Sequence, residues 1–143
     1  MTRFVDECDL HRMGTPLDDA LDAADSSEVQ VLGFDNAGKE SFYNGGGSFG
    51  IGWSRRLDAE ERQRLRALMR GLPDGRPARC HTPGFGVRFG WPRELHVSIC
   101  FSCNNIYVDD VMWTFDAHSP QARKLLAFLL SCAPSDWKIG SSS

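Results

Sequence analysis

The sequence predicts an α+β fold: one domain over residues 1–143, an antiparallel β-meander with helices 58–70 and 120–131 packed on it, and a short N-terminal helix. Three observations predict it. Apolar residues alternate through much of 85–115, the mark of strands with one buried face. Two stretches, 58–70 and 120–131, carry apolar residues at helical spacing behind capping residues. A chain of 143 residues also suits a single core, burying about 68–70% of its unfolded surface, and leaves no room for a second.

The elements follow in chain order. Thr15-Pro16 supplies a cap and a first helical proline, Asp18 and Asp19 suit the positive end of the helix dipole, and Leu17, Ala20, Leu21 and Ala24 form the buried stripe. That short helix ends near Asp25. Glu28 to Phe34 has strand character, Asn36 to Lys39 is turn chemistry, and Glu40 to Tyr43 returns, which predicts a hairpin. Gly45-Gly-Gly-Ser-Phe-Gly50 matches a dinucleotide fingerprint in letters only, because no helix opens after it and Ile51-Gly-Trp53 is extended. The glycines are expected to form a flexible turn or bulge.

Asp58-Ala-Glu-Glu61 is close to a capping box, and Leu65, Leu68, Met69 and Leu72 recur at helical spacing behind it. Arg62, Arg66 and Arg70 flank that stripe, where their stems shield its edge. Phe85, Val87 and Phe89 then share a strand face, a turn falls at Trp91 to Glu94, and Leu95, Val97, Ile99 and Phe101 continue the face on return. After Asn104-Asn105 the apolar positions become Ile106 and Val108, so parity switches from odd to even. One extra residue in a continuing strand explains the switch. Asp109-Asp110 turns into Val111, Trp113 and Phe115, with 108 opposite 111, completing a three-stranded meander. Ser119-Pro120 caps the last helix, whose apolar residues cover more than half its circumference and demand wide burial. Val97, Ile99, Trp113, Phe115, Leu126 and Leu129 are expected in the core.

Charge and composition narrow the function classes. Net charge is −3, but residues 1–28 hold eight acids against Arg3 and Arg12, while residues 54–93 hold ten arginines against four acids. Such segregation suits internal attraction or a charged partner. Thirteen of the sixteen basic residues are arginine, which adds little to a nucleic-acid reading, and none is predicted. The longest apolar run, Leu125 to Leu130, falls far short of the roughly 20 residues of a membrane span, so no membrane association is expected. Acids in the first ten residues argue against a secretory leader, and the expected compartment is the cytoplasm.

Reactive groups concentrate at Cys80-His81 and Cys100-Phe-Ser-Cys103. If Phe89 pairs with Leu95, His81 falls opposite Cys103, and Cys80 lies within one residue of being its cross-strand neighbour. Cys80, Cys100 and Cys103, with His81 or Cys132, make four soft ligands of the kind zinc takes. A regular strand puts Cys100 and Cys103 on opposite faces, so they converge only through an irregularity at Asn104. No cofactor is predicted, with zinc at this cluster as the alternative. A cysteine nucleophile with His96 or His118 as base and Asn104 or Asp116 as orienter can be written. His96, however, faces away from the apolar side, and no catalytic residue is assigned. Trp53, Trp91, Trp113 and Trp137 read as packing.

Cys80-x-x-Pro83-x-x-Gly86-Val-Arg88-Phe89, then Ile99-Cys-Phe-x-Cys103-Asn-Asn and Trp113-x-Phe115-Asp116, resembles a pattern in small bacterial proteins of unknown function. It covers residues 80 to about 130. The resemblance implies the hairpin and helix and associates the three cysteines, with no activity or ligand attached. The function expected is that of a small cytosolic bacterial binding protein without enzymatic activity, toxin-neutralising (immunity-like) or regulatory. It would meet a protein partner through Asp18, Asp19 and Asp22. The alternative is a thiol redox or zinc-binding protein using Cys80, Cys100 and Cys103.

Overall fold

The computed structural model describes residues 21–22, 28–45, 47–76, 81–90 and 94–137. Its strands are β1 (Val29–Phe34), β2 (Glu40–Asn44), β3 (Gly47–Arg56), β4 (Phe85–Phe89), β5 (Leu95–Cys100), β6 (Asn105–Val108) and β7 (Val111–Thr114). Helices given in full among the described residues are α1 (Ala59–Arg70) and α2 (Pro120–Cys132). The strands make one seven-stranded antiparallel sheet in the order β2-β3-β1-β4-β5-β6-β7, so the α+β class holds.

The predicted register is found at both hairpins: Phe89 pairs with Leu95, Phe85 with Ile99, and Val108 with Val111. Between them the expectation is corrected. Residues 95–108 are two strands, because the chain turns at 101–104 and Ile99 pairs with Ile106. The parity switch is therefore a reversal of direction, and the meander has four strands. Asn104 occupies the left-handed region at φ 57°, which asparagine tolerates better than most residues.

The N-terminal half differs more. β1 and β2 do not form a hairpin with each other: β1 pairs with β3 and β4, and β2 pairs with β3. The glycine run supplies the β2–β3 turn at Gly45 and then enters β3 itself. Its glycines have a physical reason at 50 and 52, where an added Cβ would lie 2.5 Å from the Asp35 carbonyl oxygen and 2.6 Å from Asp35 Cβ. The β1–β2 connection thus rests directly on β3, and side chains there would push it off.

Both helices pack on one face of the sheet. The core joins Val31, Val87, Val97 and Ile106 from the strands to Leu65 and Met69 of α1 and Leu125 and Leu129 of α2. Of the six predicted core residues, Val97, Ile99, Trp113, Phe115 and Leu129 are buried, whereas Leu126 lies half-buried at the margin. Leu21, from the predicted N-terminal helix, is also buried in this core; most of that helix lies outside the described residues. The opposite face carries a smaller cluster of Leu32, Phe34 and Phe42, flanked by Phe49 and Ile51.

The caps form as the sequence implies. Asp58 Oδ1 accepts from Glu61 N at 2.8 Å and Glu61 Oε1 accepts from Asp58 N at 3.0 Å, a complete capping box. Ser119 Oγ accepts from Ala122 N at 3.1 Å at the start of α2. Asp58→Ala is expected to cost about 0.5–2 kcal/mol. The check is a lowered urea midpoint at unchanged slope.

Candidate functional site

Residues 96, 98 and 100 of β5 alternate with apolar Val97 and Ile99, which places His96, Ser98 and Cys100 on the face away from the helices. That face is covered. The β2–β3 arm bends over it: Phe42 stacks on His96 with ring centroids 4.7 Å apart, and His96 Nδ1 donates to the Tyr43 carbonyl at 2.9 Å. At the tip, Gly45 N donates to the Asp109 carbonyl at 2.7 Å. A side chain at Gly45 would come 2.8 Å from Asp110 Cα, so only glycine allows this seating. His96 faces away from the helices as the alternation predicts, but it is half-buried under the arm rather than open to solvent.

Beneath the arm, His81 joins three elements. Its Nδ1 lies 2.5 Å from Asn105 Oδ1 on β6, and its Nε2 lies 2.7 Å from Ser98 Oγ on β5. Asn44 Nδ2 on β2 donates to the same Ser98 Oγ at 2.8 Å. An amide oxygen only accepts, so Nδ1 carries the proton and Nε2 accepts from the serine hydroxyl. Burial pushes the His81 pKa below its ordinary value, and the Asn105 hydrogen bond opposes this. The rings of Phe49 and Tyr107 enclose the imidazole edge-on at 6.0 and 4.7 Å.

Ser98, His81 and Asn105 follow the hydrogen-bond order of a nucleophile, its base and an orienting group. The space needed for that chemistry is taken. A reacting carbonyl must stand about 3 Å from the nucleophile, and the Asn44 amide already holds that place at 2.8 Å from an oxygen whose residue is fully buried. What the arrangement does is fasten the arm and the segment leading into β4 onto the sheet. None of Asn44, Ser98 and Asn105 was singled out from sequence; the available signal was a polar residue at every even position of β5.

Cys100 and Cys103 are brought together at the β5–β6 turn. Thr82 Oγ1 lies 3.9 Å from each sulfur, and Ser102 Oγ lies 3.3 Å from Cys100 Sγ and 3.9 Å from Cys103 Sγ. Burial and the neighbouring Cys103 thiol push the Cys100 pKa up, which disfavours a thiolate nucleophile at neutral pH. His81 uses both ring nitrogens elsewhere and Cys132 lies beside Arg55, where burial pushes its pKa up too. Cys80 lies outside the described residues. Among the described residues, no three His, Cys, Asp or Glu side chains gather as a metal site.

Among the described residues, the orienting groups written for a cysteine–histidine triad are engaged elsewhere. Asn104 Nδ2 donates to the Arg76 carbonyl at 2.9 Å, its Oδ1 accepts from Ala117 N at 3.1 Å, and Asp116 Oδ1 accepts from His118 N at 2.9 Å. Trp53 packs edge-on against Phe85 and Trp137, and Trp113 is buried; Trp91 lies outside the described residues. Asp22 is ion-paired with Arg70 of α1, and Asp18 and Asp19 lie outside the described residues.

The corner where the arm tip meets the β6–β7 turn has a different character. An open hollow of about 360 Å³ is lined by Tyr43, Asn44, Glu94, His96, Asp109 and Asp110. Tyr43 is 64% exposed, and Val111 and Met112, directly after Asp110, are exposed as well. Asp109 is structural, since its Oδ1 accepts from His96 N at 3.0 Å. Glu94 and Asp110 are exposed. Comparisons with family models, curated proteins and solved structures find no match. No helix among the described residues is long and apolar enough to cross a membrane.

Proposed function

We propose that this protein acts in the cytoplasm by covering a basic surface of a protein partner, in the manner of an immunity or regulatory protein, and that it is not an enzyme. The observation that carries the reading is the composition of one corner: exposed Tyr43, Val111 and Met112 beside Glu94 and Asp110. Aromatic and methionine side chains are enriched at interface cores. Acids at the rim steer a basic partner into place. Buried polar groups fasten the arm that presents Tyr43, and a rigid platform costs less ordering on association.

Asp22, whose exposed carboxylate pairs with Arg70, stays a candidate for contact with the same partner. Asp18 and Asp19 stay candidates for a second acidic contact with the same partner. The test is affinity capture from extracts of cells that make the protein, with immobilised wild type beside a Glu94→Lys, Asp110→Lys variant. Wild type is expected to hold a basic protein that salt releases, and the variant to lose it. Equal retention by both chains at every salt concentration refutes the assignment.

A further inference from the structure

We propose that Cys100 and Cys103 form a two-thiolate chelate for a thiophilic divalent cation of the zinc type, seated in the β5–β6 turn. Extended backbone would send residues three apart to opposite faces. Here β5 ends at Cys100, the chain turns through 101–104, and Asn104 at φ 57° completes the reversal into β6. Both sulfurs consequently approach one hydroxyl, Thr82 Oγ1, at 3.9 Å each, and a second, Ser102 Oγ, at 3.3 and 3.9 Å. Tetrahedral zinc with bonds of about 2.3 Å holds two thiolates about 3.8 Å apart. Both sulfurs stand against the same two hydroxyls, Thr82 and Ser102, as two ligands of one ion must.

Oxygen donors stand beside the pair. The Thr82 carbonyl is 3.4 Å from Cys100 Sγ, and the Ser102 hydroxyl adjoins both sulfurs. Access is short: both cysteines are buried, but Thr82 and Ser102, which lie against them, are exposed. His81 does not take part, since its nitrogens belong to the clamp under the arm. The step balances as one cation displacing two thiol protons, with two metal–sulfur bonds formed and two protons released to solvent. Among the described residues, the further donors at hand are the adjacent oxygens of Thr82 and Ser102.

Cadmium is a suitable probe, because thiolate coordination gives it an ultraviolet charge-transfer band. The reduced full-length chain is expected to bind one Cd²⁺ with release of two protons, and Zn²⁺ is expected to displace it. Cys100→Ser and Cys103→Ser should each lose the band, while Cys132→Ser keeps it. A second measurement needs no variant: trypsin leaves residues 94–123 as one peptide whose only cysteines are Cys100 and Cys103. Zn²⁺ should slow alkylation of both cysteines in that peptide and leave Cys132 unprotected. A band that survives both serine variants, or alkylation unaffected by zinc in the folded chain, overturns the proposal.

Discussion

Leu129→Ala is expected to cost about 2–5 kcal/mol, the range for a buried leucine that leaves a cavity, while Leu130→Ala should stay within about 0.5 kcal/mol. The two residues are neighbours on α2, so helix propensity changes equally at both. Their surroundings differ: Leu129 is 0% exposed within the core, and Leu130 is 43% exposed. Denaturant titration of the two variants at constant slope isolates the packing contribution. Equal losses at both positions would mean that α2 does not turn its Leu129 face to the sheet.

Ser98→Val is expected to destabilise by roughly 1–3 kcal/mol. The hydroxyl serves two groups, His81 Nε2 at 2.7 Å and Asn44 Nδ2 at 2.8 Å; Asn44 Nδ2 keeps the Tyr107 carbonyl at 3.4 Å, whereas His81 Nε2 loses its partner, and a buried group left so costs about 1–3 kcal/mol. The damage should be local. Amide exchange should quicken in β2 and at Gly45 before it quickens in α2, because the arm loses one of the bonds that fasten it. Wild-type stability should also fall with acid in a direction fixed by His81. Its folded pKa lies below the unfolded value of about 6.5. The unfolded chain therefore binds more protons in that interval, so stability is full above about pH 6.5 and declines as pH falls through the folded pKa. Replacing His81 by glutamine should flatten this acid limb.

The helices and the 85–115 region were legible because their signals are local. Asp58 and Glu61 sit three residues apart, Ser119 precedes Pro120, and alternation alone pairs Phe85 with Ile99. Alternation could not distinguish an inserted residue from a reversal at Asn104, since both change parity. The sheet edge was harder. Gly50 and Gly52 announce a close approach of backbone but do not name Asp35 as what approaches. The clamp was hidden by distance along the chain: Ser98 meets His81 across 17 residues and Asn44 across 54. A strand face bearing His96, Ser98 and Cys100 reads as solvent-facing until the arm that covers it is known.

We propose that the Tyr43 corner, with its acids, meets a basic protein. The most direct measurement is the association rate of the captured partner with wild type and with the Glu94→Lys, Asp110→Lys chain as ionic strength rises. For wild type the rate should be fast at low salt and fall about tenfold or more as charges are screened, as steered association does. The double variant should be slow at low salt and nearly indifferent to salt, with an unchanged fold. Identical rates and identical salt dependence for the two chains would contradict the account.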